Sequence, residues 1–289
     1  MISGPMKKSP LIGRSAALAL SLFVLSAPAL HAQAEGSRLV LQTGRSLPLA
    51  NVVFEGGKFV VKTASDSFAA GNSFPLSAAS HVSGEKPAAI NRGTALLLLE
   101  DPAKALEQLE PVVASHRVTA QVPGNYWLEA ARSAVLAYSL YNEPAKAEAL
   151  GKEIADATAD PGADPVVKLG QALALPLTVK FDDRLKALTS LVSDSNPEEI
   201  NAFASYFAAK LLKKVDRNDE ALENYLSVGC LYPAGGLILT SAAEMNAAEL
   251  IKMKPDRREE ALSLLSSAAR GSKGTALGVA ANKALEGLK

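Results

Sequence analysis

The stretch "RNDEALENYLSVGCLYP" (217–233) decides how this chain is read. It holds Cys230, the only cysteine, and therefore a candidate nucleophile. It also has the spacing of a helix built for close packing: a charged start, Ala221 in the first turn, Tyr225 four residues later and a stop at Pro233. Residues four apart share a helix face. Ala221 and Tyr225 thus put a small and a large side chain on one side. A thiolate nucleophile needs a nearby histidine or a helix N-terminus to lower its pKa from about 8.5. Cys230 falls near the C-terminal end of this helix, where the dipole opposes a thiolate. It reads as a small packing residue.

The same phrase recurs along the chain. "DPAKALEQL" (101–109), "EPAKAEALG" (143–151), "DDRLKALTSL" (182–191) and "DRREEALSLL" (256–265) share its polar start, early small residue and leucine-rich face. Aligned on Ala105, Ala147, Ala187, Ala221 and Ala261, successive copies lie 42, 40, 34 and 40 residues apart. A helix-like segment precedes each copy: 94–100, 125–141, 165–180, 197–215 and 238–253, and "TALGVAANKALEGL" (275–288) closes the chain. A small first-turn residue lets the second helix approach the first, and each pair leaves an apolar face that only a neighbour can cover. Pro102 and Pro144 suit a first helical turn, where the missing N–H costs nothing. Residues 91–289 therefore read as mainly α, an α-solenoid of about five helical hairpins and a cap.

The unit at 196–233 resembles a tetratricopeptide repeat. Ala208 and Ala209 stand at the close-contact points of its first helix, and Ala221, Tyr225 and Pro233 follow in its second. Trp127 with Ala130 and Ala131 is similar to the family's aromatic and small pair, while the spacings near 40 depart from its roughly 34 residues. The resemblance implies a concave groove, lined by first helices, that receives extended peptides. Phe203, Tyr206, Lys210, Lys213 and Lys214 match groove-lining positions and are the peptide-binding candidates. Lysines beside aromatics suit an acidic segment or a C-terminal carboxylate. The competing reading is a solvated lysine face at a helix end, with both aromatics packed on a neighbouring helix.

Ahead of the helices, "RLVLQTGRSL" (38–47) and "NVVFEGGKFVVKT" (51–63) are rich in strand formers, and "EGGK" (55–58) supplies a hairpin turn. With "SFPLSAASHV" (73–82) they suggest a small β-meander or open barrel over 36–82, joined by a linker over 83–90. Residues 1–34 read as a signal peptide. Lys7, Lys8 and Arg14 precede the apolar run 16–30, and Ala32 and Ala34 form a cleavage site after Ala34. The expected mature chain is periplasmic or secreted, and no later run reaches the roughly 18 apolar residues of a membrane span.

Without the three basic residues of that segment, 27 basic residues stand against 30 acidic ones, interspersed, with no basic block to hold nucleic acid. One cysteine makes no internal disulfide. His81 and His116 have no carboxylate at metal-ligand spacing. "GSKGTALG" (271–278) has the residues of a phosphate loop in the wrong order. Glu198–Glu199 and Glu259–Glu260 complement helix N-termini. No catalytic residue, metal or cofactor is called for. The expectation is a non-enzymatic scaffold or adaptor that holds a protein or peptide partner in the cell envelope. The alternative is a module that binds an envelope polymer such as peptidoglycan through its β-part.

Overall fold

Gly56 and Gly57 both take positive φ, 58° and 76°. That is the geometry of a two-residue turn whose twist matches its flanking strands. The turn joins β3 (Val52–Glu55) to β4 (Lys58–Val61), with Glu55 opposite Lys58 and Phe54 opposite Phe59. The structure, a computed structural model, describes residues 36–65, 67–158, 162–252 and 254–288. The expected signal peptide lies outside these residues.

Among the described residues the N-terminal module has six short strands in two antiparallel sheets, ordered β2-β1-β6 and β3-β4-β5. β1 (Arg38–Leu41) turns through Gly44 into β2 (Ser46–Pro48). The chain then passes a 3-10 corner at Leu49–Asn51 into β3 on the other sheet. It returns by β5 (Ser73–Pro75), a second 3-10 corner at Leu76–Ala78 and β6 (Ala79–Ser83). The single strand expected over 73–82 is therefore two strands, one in each sheet. Alternation points Leu39, Leu41, Leu47, Phe59 and Val61 into a shared apolar centre. Val122, from the segment after the second helix, completes that centre and so docks the module on the helical part.

The helical part has eleven α-helices among the described residues. They are α1 (Ala88–Leu98), α2 (Pro102–His116), α3 (Trp127–Leu140), α4 (Pro144–Thr158), α5 (Ala163–Leu173), α6 (Phe181–Thr189), α7 (Glu198–Lys213), α8 (Asn218–Leu231), α9 (Leu237–Ile251), α10 (Arg258–Gly271) and α11 (Ala276–Leu288). Each helix packs against the next one in sequence. The phrase alanines sit in the even-numbered helices: Ala105, Ala147, Ala221 and Ala261 are buried, and Ala187 in the short α6 is half-buried. Gly93 in α1 answers Ala105 across the first pair, since a Cβ there would stand 2.6 Å from Leu109 Cγ and 3.2 Å from the Ala105 carbonyl oxygen.

One turn recurs. Glu100, Asn142 and Asp216 follow α1, α3 and α7 with φ of 62°, 62° and 61°. Each lies five residues before a phrase alanine. Their N–H groups bond back to Leu97, Ser139 and Lys213, and the next N–H in each case reaches Leu96, Tyr138 or Leu212. This left-handed C-terminal motif satisfies carbonyls that the helix end leaves open, at the cost of a conformation disfavoured for non-glycine residues.

Odd-numbered helices also touch one another: α1 with α3, α3 with α5, α5 with α7, and α7 with α9. α1 further packs on α9 and α11. The helices therefore bend round until the first meets the last, with the odd-numbered set on the inside.

Candidate functional site

Two regions bear on function. The first is the inner side of α7, where the sequence placed its peptide-binding candidates. Phe203 and Tyr206 are 3% and 1% exposed, and the C-terminal end of α1 bonds to α7 on the face that an open groove would leave free. The Tyr206 hydroxyl donates to the Leu98 carbonyl at 3.0 Å, and Lys210 Nζ donates to the same carbonyl at 3.0 Å. Glu100, just past the end of α1, sits 3.3 Å from Lys210 and 3.1 Å from Lys214. Burial pushes the Lys210 ammonium below the usual lysine value in spite of Glu100. Burial likewise opposes the charge on Glu100, but the two lysines prevail and hold its carboxyl below the usual range. Lys213 donates to Asn246 Oδ1 at 3.4 Å. The structure thus brings Tyr206, Lys210 and Lys214 together around the end of α1. Of the five candidates only Lys214 is exposed, while Lys210 and Lys213 are half-buried.

The second region is a cavity of about 710 Å³ where the β-module meets α2 and α4, a volume in the usual range for ligand sites. Its β wall is Val52, Val53, Phe54 and Leu76. Facing it are Ala114 and Ser115 at the end of α2, the following Arg117 and Val118, and Ala149, Lys152, Glu153, Asp156 and Ala157 on α4. Three consecutive strand residues can line one cavity only along the strand's edge, because successive side chains point to opposite faces. β3 ends its sheet, so that edge has no strand beside it.

The ladder fixes which groups it presents. Asn51 accepts from the Lys62 N–H, whereas Val61 turns its N–H and C=O to Asn72 and Gly71. Hydrogen-bonded and non-bonded pairs alternate in an antiparallel ladder. Val52 and Phe54 therefore face away from β4. The Val52 N–H is taken by the Leu49 carbonyl. The Val52 carbonyl and the Phe54 N–H and C=O have no partner among the described residues.

The cavity's charges nearly balance. Arg117 pairs with Glu153 at 2.6 Å, and burial raises the Glu153 carboxyl above its usual range although Arg117 opposes this. Lys152 and Asp156, four apart on α4, carry opposite charges at the rim. Ser115 Oγ is 3.0 Å from His116 Nδ1, which invites comparison with a nucleophile and its base. His116 is wholly buried, however, and its Nε2 lies 3.3 Å from Ser37 Oγ of the β-module. The last turn of α2 presents carbonyls rather than the N–H donors that an oxyanion needs. The pair serves as a buried hydrogen-bonded link between module and helices.

Cys230 corrects the sequence reading: it lies near the end of α8 as expected, but exposed rather than packed. Among the described residues no three His, Cys, Asp or Glu side chains converge as metal ligands, and no helix is long and apolar enough to cross a membrane. Sequence reasoning missed the cavity, whose walls come from segments about 60–100 residues apart and which includes backbone groups of the β3 edge. No family model matches the chain, and no curated protein matches it in sequence.

Proposed function

We propose that the protein is an exported, non-enzymatic scaffold of tetratricopeptide-like helical hairpins that holds a protein or peptide partner at the junction of its β-module and helices. The observation that carries this reading is the cavity of about 710 Å³ walled by both parts of the molecule. Its lining combines apolar surface from Val118, Ala149 and Ala157 with polar and charged side chains, among them Ser115, Arg117, Gln121 and Glu153. The tetratricopeptide-like reading draws support from the buried alanines of four phrase copies and from the turn that recurs at a constant offset before three of them. On this reading the even-numbered helices and the bend of the array hold α2 and α4 at a set distance from β3. The exposed Lys214 on α7 offers a cationic second contact.

A photo-crosslinking side chain at the exposed Ala114, in the protein expressed in its native cells, tests the proposal. The expected result is an adduct of discrete protein mass that is lost when Ala149→Trp fills the cavity. Adducts confined to the cell-wall polymer would establish the alternative, an envelope-polymer module that acts through its β-part. Adducts unaffected by Ala149→Trp would overturn the site.

A further inference from the structure

The chemistry of β3 narrows the partner. Its open edge offers the Val52 carbonyl, then the N–H and C=O of Phe54, along one side of the cavity. This row of alternating acceptor and donor groups, at strand spacing, matches the main chain of another extended polypeptide. A glycan hydroxyl or a compact small molecule has no such repeat. Val118, which packs against the core of the β-module, and Ala149 and Ala157 on α4 give the cavity an apolar floor, and Ala114 and Ser115 line it from α2.

We propose that the cavity takes an extended peptide segment that adds to β3 as a further strand and seats an apolar side chain against Val118, Ala149 and Ala157. Main-chain pairing supplies the register, and the alanine-lined pocket selects the side chain that points away from solvent. Arg117 and Glu153 neutralise each other, and Lys152 and Asp156 are of opposite sign, so the groove does not select for net charge. Affinity should vary little with salt. This inference rests on the reading of the cavity as the partner site.

A display library of random linear peptides, panned on the protein spanning residues 35–289 and counter-selected on its Ala149→Trp variant, provides the probe. Enriched peptides should carry an apolar residue at one fixed position. They should lose affinity about tenfold when the main-chain nitrogen that faces Phe54 is methylated, since that leaves a cavity acceptor unpaired. Binding should also slow hydrogen exchange at the Phe54 amide, a change that mere filling of the cavity would not produce. Ala114→Trp, on the facing helix, repeats the block should Ala149→Trp unfold the chain. No peptide enriched on the wild-type protein over both variants overturns the proposal. Peptides that enrich, but tolerate N-methylation and leave Phe54 exchange unchanged, overturn strand pairing while the cavity remains a binding site. Failure of the broader scaffold reading would show itself separately, as loss of the Ala114 crosslink.

Discussion

Tyr206 and Tyr225 make a matched pair with opposite expected responses to the same change. Each is 1% exposed, and their rings lie 5.7 Å apart, edge to face. Burial pushes both phenols above their usual range. They differ in their hydroxyls. Tyr206 donates to the Leu98 carbonyl at 3.0 Å, with Asn246 Nδ2 at 3.4 Å, whereas the Tyr225 hydroxyl is buried with no partner among the described residues.

Replacement by phenylalanine keeps ring and shape and removes only oxygen. At Tyr206 it deletes one hydrogen bond, but Lys210 still satisfies the Leu98 carbonyl, so the cost is about 1 kcal/mol. At Tyr225 it removes an unpaired buried hydroxyl whose desolvation costs about 1–3 kcal/mol, so the variant should gain about 1 kcal/mol. The two proteins should differ by about 2 kcal/mol, or roughly 4–8 °C in Tm for a chain of this size. Urea denaturation should move the midpoint down for Tyr206→Phe and up for Tyr225→Phe with unchanged m-values. Unchanged stability on Tyr206→Phe would refute the bond from α7 to the end of α1, and loss of stability on Tyr225→Phe would refute the unpaired state of its hydroxyl.

Three further outcomes follow from other parts of the fold. Asp216→Gly should raise stability by about 0.5 kcal/mol and Asp216→Val should lower it by about 1, measured as denaturation midpoints, because only glycine enters the left-handed region freely. Gly93→Ala should cost about 1 kcal/mol in the same assay even though alanine favours helix, because its Cβ would crowd Leu109; a stabilised variant would show that α1 and α2 are not in close approach. Burial holds the His116 pKa below 6.5, with a bond to the Val112 carbonyl opposing, so the folded state binds its proton less readily than the unfolded one. Stability should therefore fall as pH drops below about 6.5, and His116→Gln should flatten that part of a midpoint-against-pH curve; an unchanged curve would remove His116 as its source.

The sequence disclosed what short-range physics writes into it. Alanine in the first turn of an even-numbered helix is a local packing requirement, so Ala105, Ala147, Ala221 and Ala261 could be aligned without coordinates. Two adjacent glycines between strand-forming runs favour a turn with positive φ, which placed the β3–β4 hairpin. What the sequence left open, or left out, answers to distant partners. Tyr206 and Phe203 face a surface or a core according to how far the helices bend, and bend accumulates from small rotations that no single residue declares. The turn residues Glu100, Asn142 and Asp216 share no side-chain type, although their constant distance from the alanines was there to be found. The β3 edge was invisible because its groups are main-chain atoms and its neighbours on α4 lie roughly 100 residues away.

The seat of α1 on α9 and α11 has a consequence for how such a chain can change over generations. Open stacks of hairpins lengthen or shorten by whole units, since an end unit leaves behind a face like the one it covered. Here the arc is complete. Duplicating or deleting a pair would alter the angle the helices sweep, strand α1 away from its seat and break the bonds that Tyr206 and Lys210 make to Leu98. Such a chain should denature as one cooperative body instead of fraying from an end, and its descendants should vary in loops and surface while the number of hairpins stays fixed.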